Sequence, residues 1–272
     1  MSLNRREEIL RYTAQSPCER FPDGRPRVPD DLLRRMAEVT TEEAWGVLRA
    51  RGYHSQFEGG WLNVHPERVL VGRAVTAMFV PSRPDLHAAI EEWGKENGGV
   101  GGQNSWVIDT LVEDDVVVVD LFGKVRDGTF AGDNLGTAIA NRTRRGMVVH
   151  GGIRDYARLQ ALPDFSIFAR GVDPTAIADV TLVGLNCPVR IGNATVLPGD
   201  VVLGTGSGVI FIPSHLAQEV VESSEQVRLQ DQWGQMRLRE GKYSPGQVDG
   251  AWTDAMRADF EEWQKNRASG GL

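Results

Sequence analysis

Cysteine is almost missing from this chain of 272 residues: Cys18 and Cys187 stand far apart, with no CxxC pair and no Cys/His spacing. A disulfide framework and a structural zinc site are therefore unsupported, and a reducing compartment fits best. No apolar run approaches the length that crosses a bilayer, and the charged N-terminus MSLNRREEILRYTAQSP lacks the apolar centre of a signal peptide. The expectation is a cytoplasmic protein. Positive charge is also short: 30 Lys and Arg against 37 Asp and Glu leave a formal charge of −7. Nucleic-acid binding would then need a local basic patch. The one cluster, Arg142, Arg144 and Arg145, reads instead as a solvated helix face. Lysine is scarcer still. Lys95, Lys242 and Lys265 lie in polar helix or tail surroundings that do not desolvate an amine, which leaves Lys124, after an apolar strand, as the competitor for Schiff-base chemistry.

What is present is ordinary globular material, 41% hydrophobic and 25% charged, enough for one sizeable core with extensions. The reading divides it into a helical arm (residues 1–68), a core (69–230) and a C-terminal tail (231–272). In the arm a short helix over residues 4–15 precedes a Pro- and Arg-containing connector. Asp30 and Asp31 are placed to cap the helix DLLRRMAEV, and Thr40 with Glu43 forms a capping-box pattern that Gly52 ends. VLVGRAVTAMFV reads as a strand, and Asp85 then caps DLHAAIEEWGKEN. GGVGGQNSW reads as a flexible loop; its glycines lack a nucleotide-binding spacing, and a substrate lid is the functional alternative. From Val180 onward short strands follow at tight spacing, as an antiparallel or mixed β layer, before a long helix.

The chemistry concentrates in residues 131–159. VVVVDLFGK is followed by a loop and then by Gly132, Asp133, Asn134 and Leu135, which open a helical run ending near Gly146. Next comes MVVHGGIRDYARL, an apolar run whose two glycines free the backbone to turn, delivering Arg154 and Asp155 to a helix start. Twenty residues separate Asp133 from Arg154. That spacing holds one helix, one strand and a tight turn, so the two would open successive helices at one sheet edge and face one pocket. A structural account of the same residues, with helix caps, a salt bridge and a satisfied core imidazole at His150, stays open beside the functional one. His54, His65, His87 and His215 lack metal-ligand spacing; Asp109 and Asp120 read as cap or strand-end residues.

VGRAVTAMFVP, GDNLGTA, VVHGGIRD, CPVRIGNATVLPGDVV and GVIFIP fall in the order seen in the RraA-like family, and residues 70–221 resemble it. The most specific part is Asp-x20-Arg-Asp: Asp133, Arg154 and Asp155. The family includes metal-dependent class II pyruvate aldolases acting on 4-hydroxy-4-methyl-2-oxoglutarate and 4-carboxy-4-hydroxy-2-oxoadipate, and non-enzymatic regulators of ribonuclease E. The resemblance implies an α/β fold, an αββα sandwich of the swivelling β/β/α type with helical extensions, assembled as homotrimers or hexamers with pockets between subunits. It implies that Asp155 holds a divalent metal, Mg²⁺ or Mn²⁺, that Arg154 contacts a keto oxygen, and that the amides of Asn134 and Leu135 grip a carboxylate. Asp133 belongs to the catalytic motif.

The departures are Arg158, where relatives often carry an acid, His150 in place of a strand-end aspartate, and Gly204 to Ser207 in place of an acidic turn. The regulators generally lack the aspartate after the arginine, so Asp155 favours an enzyme. The expected reaction is cleavage of a 4-hydroxy-2-oxo acid to pyruvate, with oxaloacetate decarboxylation as a side activity; the alternative is a non-catalytic regulatory protein. No membrane partner is expected. Trp233, Trp252 and Trp263, in a polar tail, suggest a segment that wraps another surface, such as a second subunit.

Overall fold

The computed structural model describes residues 3–268. Its elements run α1 (Arg6–Tyr12), β1 (Glu19–Arg20), β2 (Pro26–Arg27), α2 (Asp30–Met36), α3 (Thr41–Ala50), β3 (Phe57–Glu58), β4 (Leu62–Asn63) and β5 (Leu70–Pro81). After these come α4 (Pro84–Glu96), α5 (Gln103–Asp109), β6 (Asp115–Asp120), α6 (Asp133–Thr143), β7 (Gly146–Ile153), α7 (Tyr156–Gln160), β8 (Ser166–Val172) and β9 (Val180–Leu185). The remainder is β10 (Val189–Ile191), β11 (Ala194–Val196), β12 (Val201–Thr205), β13 (Gly208–Ile212), a 3-10 turn, α8 (Ala217–Arg239), α9 (Pro245–Val248) and α10 (Asp254–Ala268). The chain divides into two compact units, the first ending at Val221 and the second beginning at Glu222.

In the first unit β5 organises the sheet. β6 pairs with it in parallel, while its other edge is shared: β12 takes the first part and β9 the last, both antiparallel. The parallel run continues through β7 to β8, with β4 beyond; on the other side β13 and β3 follow β12. β3 and β4 are thus the two ends of the sheet, yet only residues 59–61 separate them, so the sheet has to curl until its ends meet. Arg170 of β8 ties that closure, donating from Nη1 to the Gly59 carbonyl at 2.8 Å, pairing with Glu58 and lying over the Trp61 ring.

Side-chain alternation sorts the core into layers. Val116, Val118, Val148, Phe168, Val202 and Phe211 face the inside of the curl, where the β10–β11 hairpin adds Val189, Ile191 and Val196. Val117, Val119, Met147 and Val149 face outward to Ile90, Val107, Ile139 and Leu159 from α4 to α7. On the opposite outer face Val71, Leu203 and Ile210 meet Leu33, Met36 and Leu48 from α2 and α3. The order is helix, sheet, sheet, helix, the α/β arrangement expected. It also explains the unbroken VVVV run: a parallel strand covered on both faces needs apolar residues at every position.

Several local readings change. Asp30 does not cap α2, whose N-cap is Pro29; its carboxylate turns to the buried Arg73. Asp85 lies in the first turn of α4 rather than at its N-cap, Arg83, and pairs with that residue. The Thr40–Glu43 capping box is present. Helix resumes at Gln103, inside the stretch read as loop, because its side chain is held on both sides: Nε2 donates to Glu91 at 2.7 Å and Oε1 accepts the Leu182 N–H. Arg142, Arg144 and Arg145 are not a bare basic face, since each pairs with an acid: Asp109, Glu113 and Asp114 respectively.

The second unit accounts for the tail tryptophans differently from the expected wrapping segment. Trp233, on α8, is fully buried; Trp252 lies 4.5 Å from it between ring centroids, and Phe260 and Trp263 of α10 complete the cluster. Helices distant in sequence bring the rings together, so they cover one another. Asp259 braces this packing by accepting from Arg237, Lys242 and Tyr243. Among the described residues no helix is long and apolar enough to cross a membrane.

Two stability predictions come from buried charge. Arg25 and Asp115, 2% and 0% exposed, pair at 2.8 Å beneath the β1–β2 hairpin. Arg25 Nε also reaches Asp23 at 2.7 Å, so Asp115→Ala leaves the guanidinium with one partner of two. Urea unfolding should show a loss of about 1.5–3 kcal/mol, and a loss under about 1 kcal/mol contradicts this. Asp200 is buried beside the start of β12, and burial pushes its carboxyl up from 3.8 to about 7. The folded state therefore keeps a proton that the unfolded state releases, so the stability linked to it is full below about pH 4 and is lost as pH rises through about 7. Asp200→Asn should flatten that decline in urea titrations at pH 5 and pH 8; an unchanged slope refutes the assignment.

Candidate active site

β7 does not end where its glycines begin. Gly151 and Gly152 remain in the strand, and the turn expected at them comes later, at Arg154 and Asp155. Close approach is what requires these glycines: a Cβ at Gly151 would meet the Leu121 side chain at 2.7 Å and the Lys124 carbonyl at 2.8 Å. One at Gly152 would meet the Val125 carbonyl oxygen at 2.9 Å. The loop over residues 121–131 is pressed onto this end of β7 and bonded to it much as a strand would be. Gly123 N–H donates to His150 O at 2.9 Å, Gly152 N–H to Lys124 O at 2.8 Å, Phe130 N–H to Gly152 O at 2.9 Å, and Arg154 N–H to Ala131 O at 3.0 Å.

Because Ala131 is tied to Arg154, the residues after it come to lie against the turn that follows β7. α6 starts at Asp133 with Gly132 as N-cap, and Gly132 admits no side chain: a Cβ there would be 2.2 Å from Asp155 Oδ2 and 2.7 Å from Arg154 Nε. Asp155, the N-cap of α7, has a φ of 53°, a left-handed conformation that costs about 1–3 kcal/mol outside glycine. Aspartate tolerates it better than most residues. Its Oδ2 accepts the Asp133 N–H at 3.2 Å and lies 3.6 Å from Arg154 Nε. A carboxylate is thereby seated at the positive end of an eleven-residue helix.

Asp133 is bonded on both oxygens: Oδ1 accepts the Asn134 N–H at 2.9 Å, and Oδ2 lies 2.6 Å from Arg158 Nη1. The hydrogen bond from Arg158 holds its carboxyl below the usual carboxylate range. Asn134 and Leu135 occupy the first turn of α6, where amides have no intrahelical acceptor. Asp133, Arg154 and Asp155 are therefore brought together by the fold, with the side chains of Arg154 and Asp155 38% and 34% exposed to solvent.

Whether this donor set fits a metal turns on the carboxylates. Among the described residues no group of three or more His, Cys, Asp and Glu could hold an ion, which does not match a closed zinc cage. Asp155 offers a solvent-reachable carboxylate, whereas Asp133 is taken up by Arg158. One protein carboxylate with room for water and substrate oxygens fits Mg²⁺ or Mn²⁺, which retain several waters.

The remaining candidates have other surroundings. His150 is not the satisfied imidazole expected: its buried Nδ1 has no hydrogen-bond partner, and Asp120 Oδ1, which accepts the Phe122 N–H, stands 3.6 Å away. Asp109 pairs with Arg142, and the Lys124 carbonyl serves the clamp on β7. His65 meets Gln160 O, His87 meets Thr181 with Glu91 3.9 Å from its other ring nitrogen, and His215 meets Tyr53. Gly132 and Arg158 stand in the sequence analysis, but their contacts in the site do not. The close approach of Gly132 could have been found from its place before Asp133, and the Asp133–Arg158 contact from the three-residue step between Asp155 and Arg158.

The Aldolase/RraA model of the RraA-like family matches residues 36–211. Protein DlpA of Legionella pneumophila is 27% identical over 74% of this chain and 31% of its own length. Two proteins carrying the provisional name 4-hydroxy-4-methyl-2-oxoglutarate aldolase also match. That of Halalkalibacterium halodurans is 30% identical over 48% of this chain and 63% of its own, and that of Azotobacter vinelandii 32% identical over 52% and 96%. The chain thus spans less than two thirds of the Legionella and Halalkalibacterium proteins. Among solved structures, Streptomyces coelicolor RraAS2, described as an unusual member of the RNase ES inhibitor RraA protein family, superposes with a TM-score of 0.66 at 25% identity, covering 81% of this chain and 100% of that one. With that fold, and with a family match that spans most of the first unit, the chain belongs to the RraA-like family.

Proposed function

We propose that this protein is a divalent-metal-dependent lyase that cleaves a 4-hydroxy-2-oxo acid in the retro-aldol direction, releasing pyruvate, and that it also decarboxylates oxaloacetate. Asp155 carries the reading: a solvent-reachable carboxylate held in a left-handed turn, at the positive end of α6 and beside Arg154. The provisional aldolase names of two relatives support it.

When bound at Asp155, Mg²⁺ or Mn²⁺ supplies Lewis acidity that stabilises negative charge developing on the keto oxygen as the carbon–carbon bond breaks. Arg154 sets a planar guanidinium next to Asp155, where it can donate to that same oxygen. The Leu135 amide in the first turn, with the α6 dipole behind it, suits the carboxylate next to the keto group, whereas the Asn134 N–H is already given to Asp133 Oδ1. Asp133 positions the metal-binding part: its N–H holds Asp155, while its carboxylate caps the first turn of α6 by accepting the Asn134 N–H. Loss of carbon dioxide from oxaloacetate places charge on the same oxygen and needs no separate base, so it is the simplest reaction for this site.

A regulatory binding protein is the second reading, favoured by the likeness to RraAS2. The active species is proposed as a trimer or a dimer of trimers, which light scattering tests. A lactate-dehydrogenase-coupled assay separates the two functions. Oxaloacetate with Mg²⁺ should yield pyruvate above the metal-only rate, and EDTA should abolish the difference. Asp155→Ala should remove metal-dependent turnover while leaving a folded protein, and Arg154→Lys should lose about 100-fold in kcat because lysine lacks the planar fork. If oxaloacetate and a panel of 4-hydroxy-2-oxo acids give no pyruvate with either metal, the binding-protein reading replaces this one.

A further inference from the structure

The proposed reaction uses Arg154 on the substrate but gives Arg158 only its contact with Asp133. Arg158 lies on α7 just after its N-cap Asp155, and it reaches the carboxylate of Asp133, whose N–H holds Asp155. Its Nη1 reaches Asp133 Oδ2, yet the side chain is 77% exposed and most of its five N–H donors face water. A surface ion pair of this kind contributes little, so exchanging Asp133 for another carboxylate costs little. Charge balance points the same way. Asp133, Asp155, Arg154 and Arg158 sum to zero, so a bound divalent ion leaves the site with two positive charges in excess. A monocarboxylate cancels one of them and a dicarboxylate both.

We propose that Arg158 is the specificity residue of this site, taking the second carboxylate of a dicarboxylic 2-oxo acid in exchange for its contact with Asp133. The proposal rests on the lyase reading for its first carboxylate and its metal. Arg158 supplies recognition and no chemistry, so its loss should act on binding and should spare substrates with one carboxylate.

The test compares wild type, Arg158→Ala and Arg158→Lys on two substrates with Mg²⁺: oxaloacetate, with two carboxylates, and 4-hydroxy-2-oxopentanoate, with one. Arg158→Ala should lose roughly tenfold in kcat/KM on oxaloacetate, mainly through KM, and under twofold on the monoacid, with partial recovery in Arg158→Lys. Equal losses on both substrates, or no loss on either, overturn the proposal. A second measurement is independent of turnover: calorimetry on the Mg²⁺-loaded protein with 2-oxoglutarate and 2-oxobutyrate, which share the keto acid and differ in the distal carboxylate. Wild type should bind 2-oxoglutarate more tightly, and Arg158→Ala should erase the difference. An absence of turnover with this binding pattern intact defeats the lyase reading but not the role of Arg158. Equal binding of both acids by wild type, or no binding of either, defeats the role of Arg158.

Discussion

The contact on which the site depends is backbone against backbone: the loop over residues 121–131 lying flat on the end of β7. It is possible because Gly151 and Gly152 carry no Cβ, and four hydrogen bonds between His150, Gly152 and Arg154 and the loop make it a ladder. The last of these bonds, Arg154 to Ala131, sets the distance between the start of α6 and the turn after β7. Gly132 then passes under the Asp155 carboxylate, and Asp133 meets it through its amide. Every polar relation in the site inherits its geometry from that ladder. The closed sheet supplies the rigidity behind it, since β6 and β7, whose carboxyl ends carry the loop and the turn, are covered on both faces.

Much of the fold was legible because it depends on patterns with a single physical reading. A run of valines between turn signals is a buried parallel strand, and Thr40 with Glu43 is a helix start, whatever surrounds them. The Asp133–Arg154 spacing foretold that two helices would open at one edge. Legibility ended where a residue's partner lies far along the chain. Asp30 looks like a cap until Arg73, forty-three positions later, claims its carboxylate. Glycine pairs were ambiguous for the same reason: flexibility and close approach leave one signature in sequence, and only the loop lying against Gly151 and Gly152 separates them. The tail tryptophans needed the path of α8 and α10 before they could be seen as one cluster.

Within the site the family resemblance named the three residues of the motif and their expected roles, but the residues alone carry no physical reason for that division. Asp133 and Asp155 look equivalent as letters. In the structure one is held by Arg158 and by its own helix start, while the other faces solvent in a strained turn with a guanidinium 3.6 Å away. In the proposed function this asymmetry gives the carboxylates opposite tasks, one to position and one to bind, with substrate oxygens and water completing the coordination.

That Asp155 is the metal ligand is the claim from which the rest follows, and it can be examined without turnover. Crystals soaked with Mn²⁺ and oxalate, with data collected at the manganese absorption edge, locate the ion directly. The account predicts one anomalous peak within coordination distance of an Asp155 carboxylate oxygen, absent in Asp155→Ala. A peak at Asp120 and His150, or manganese that persists in the variant, would contradict it.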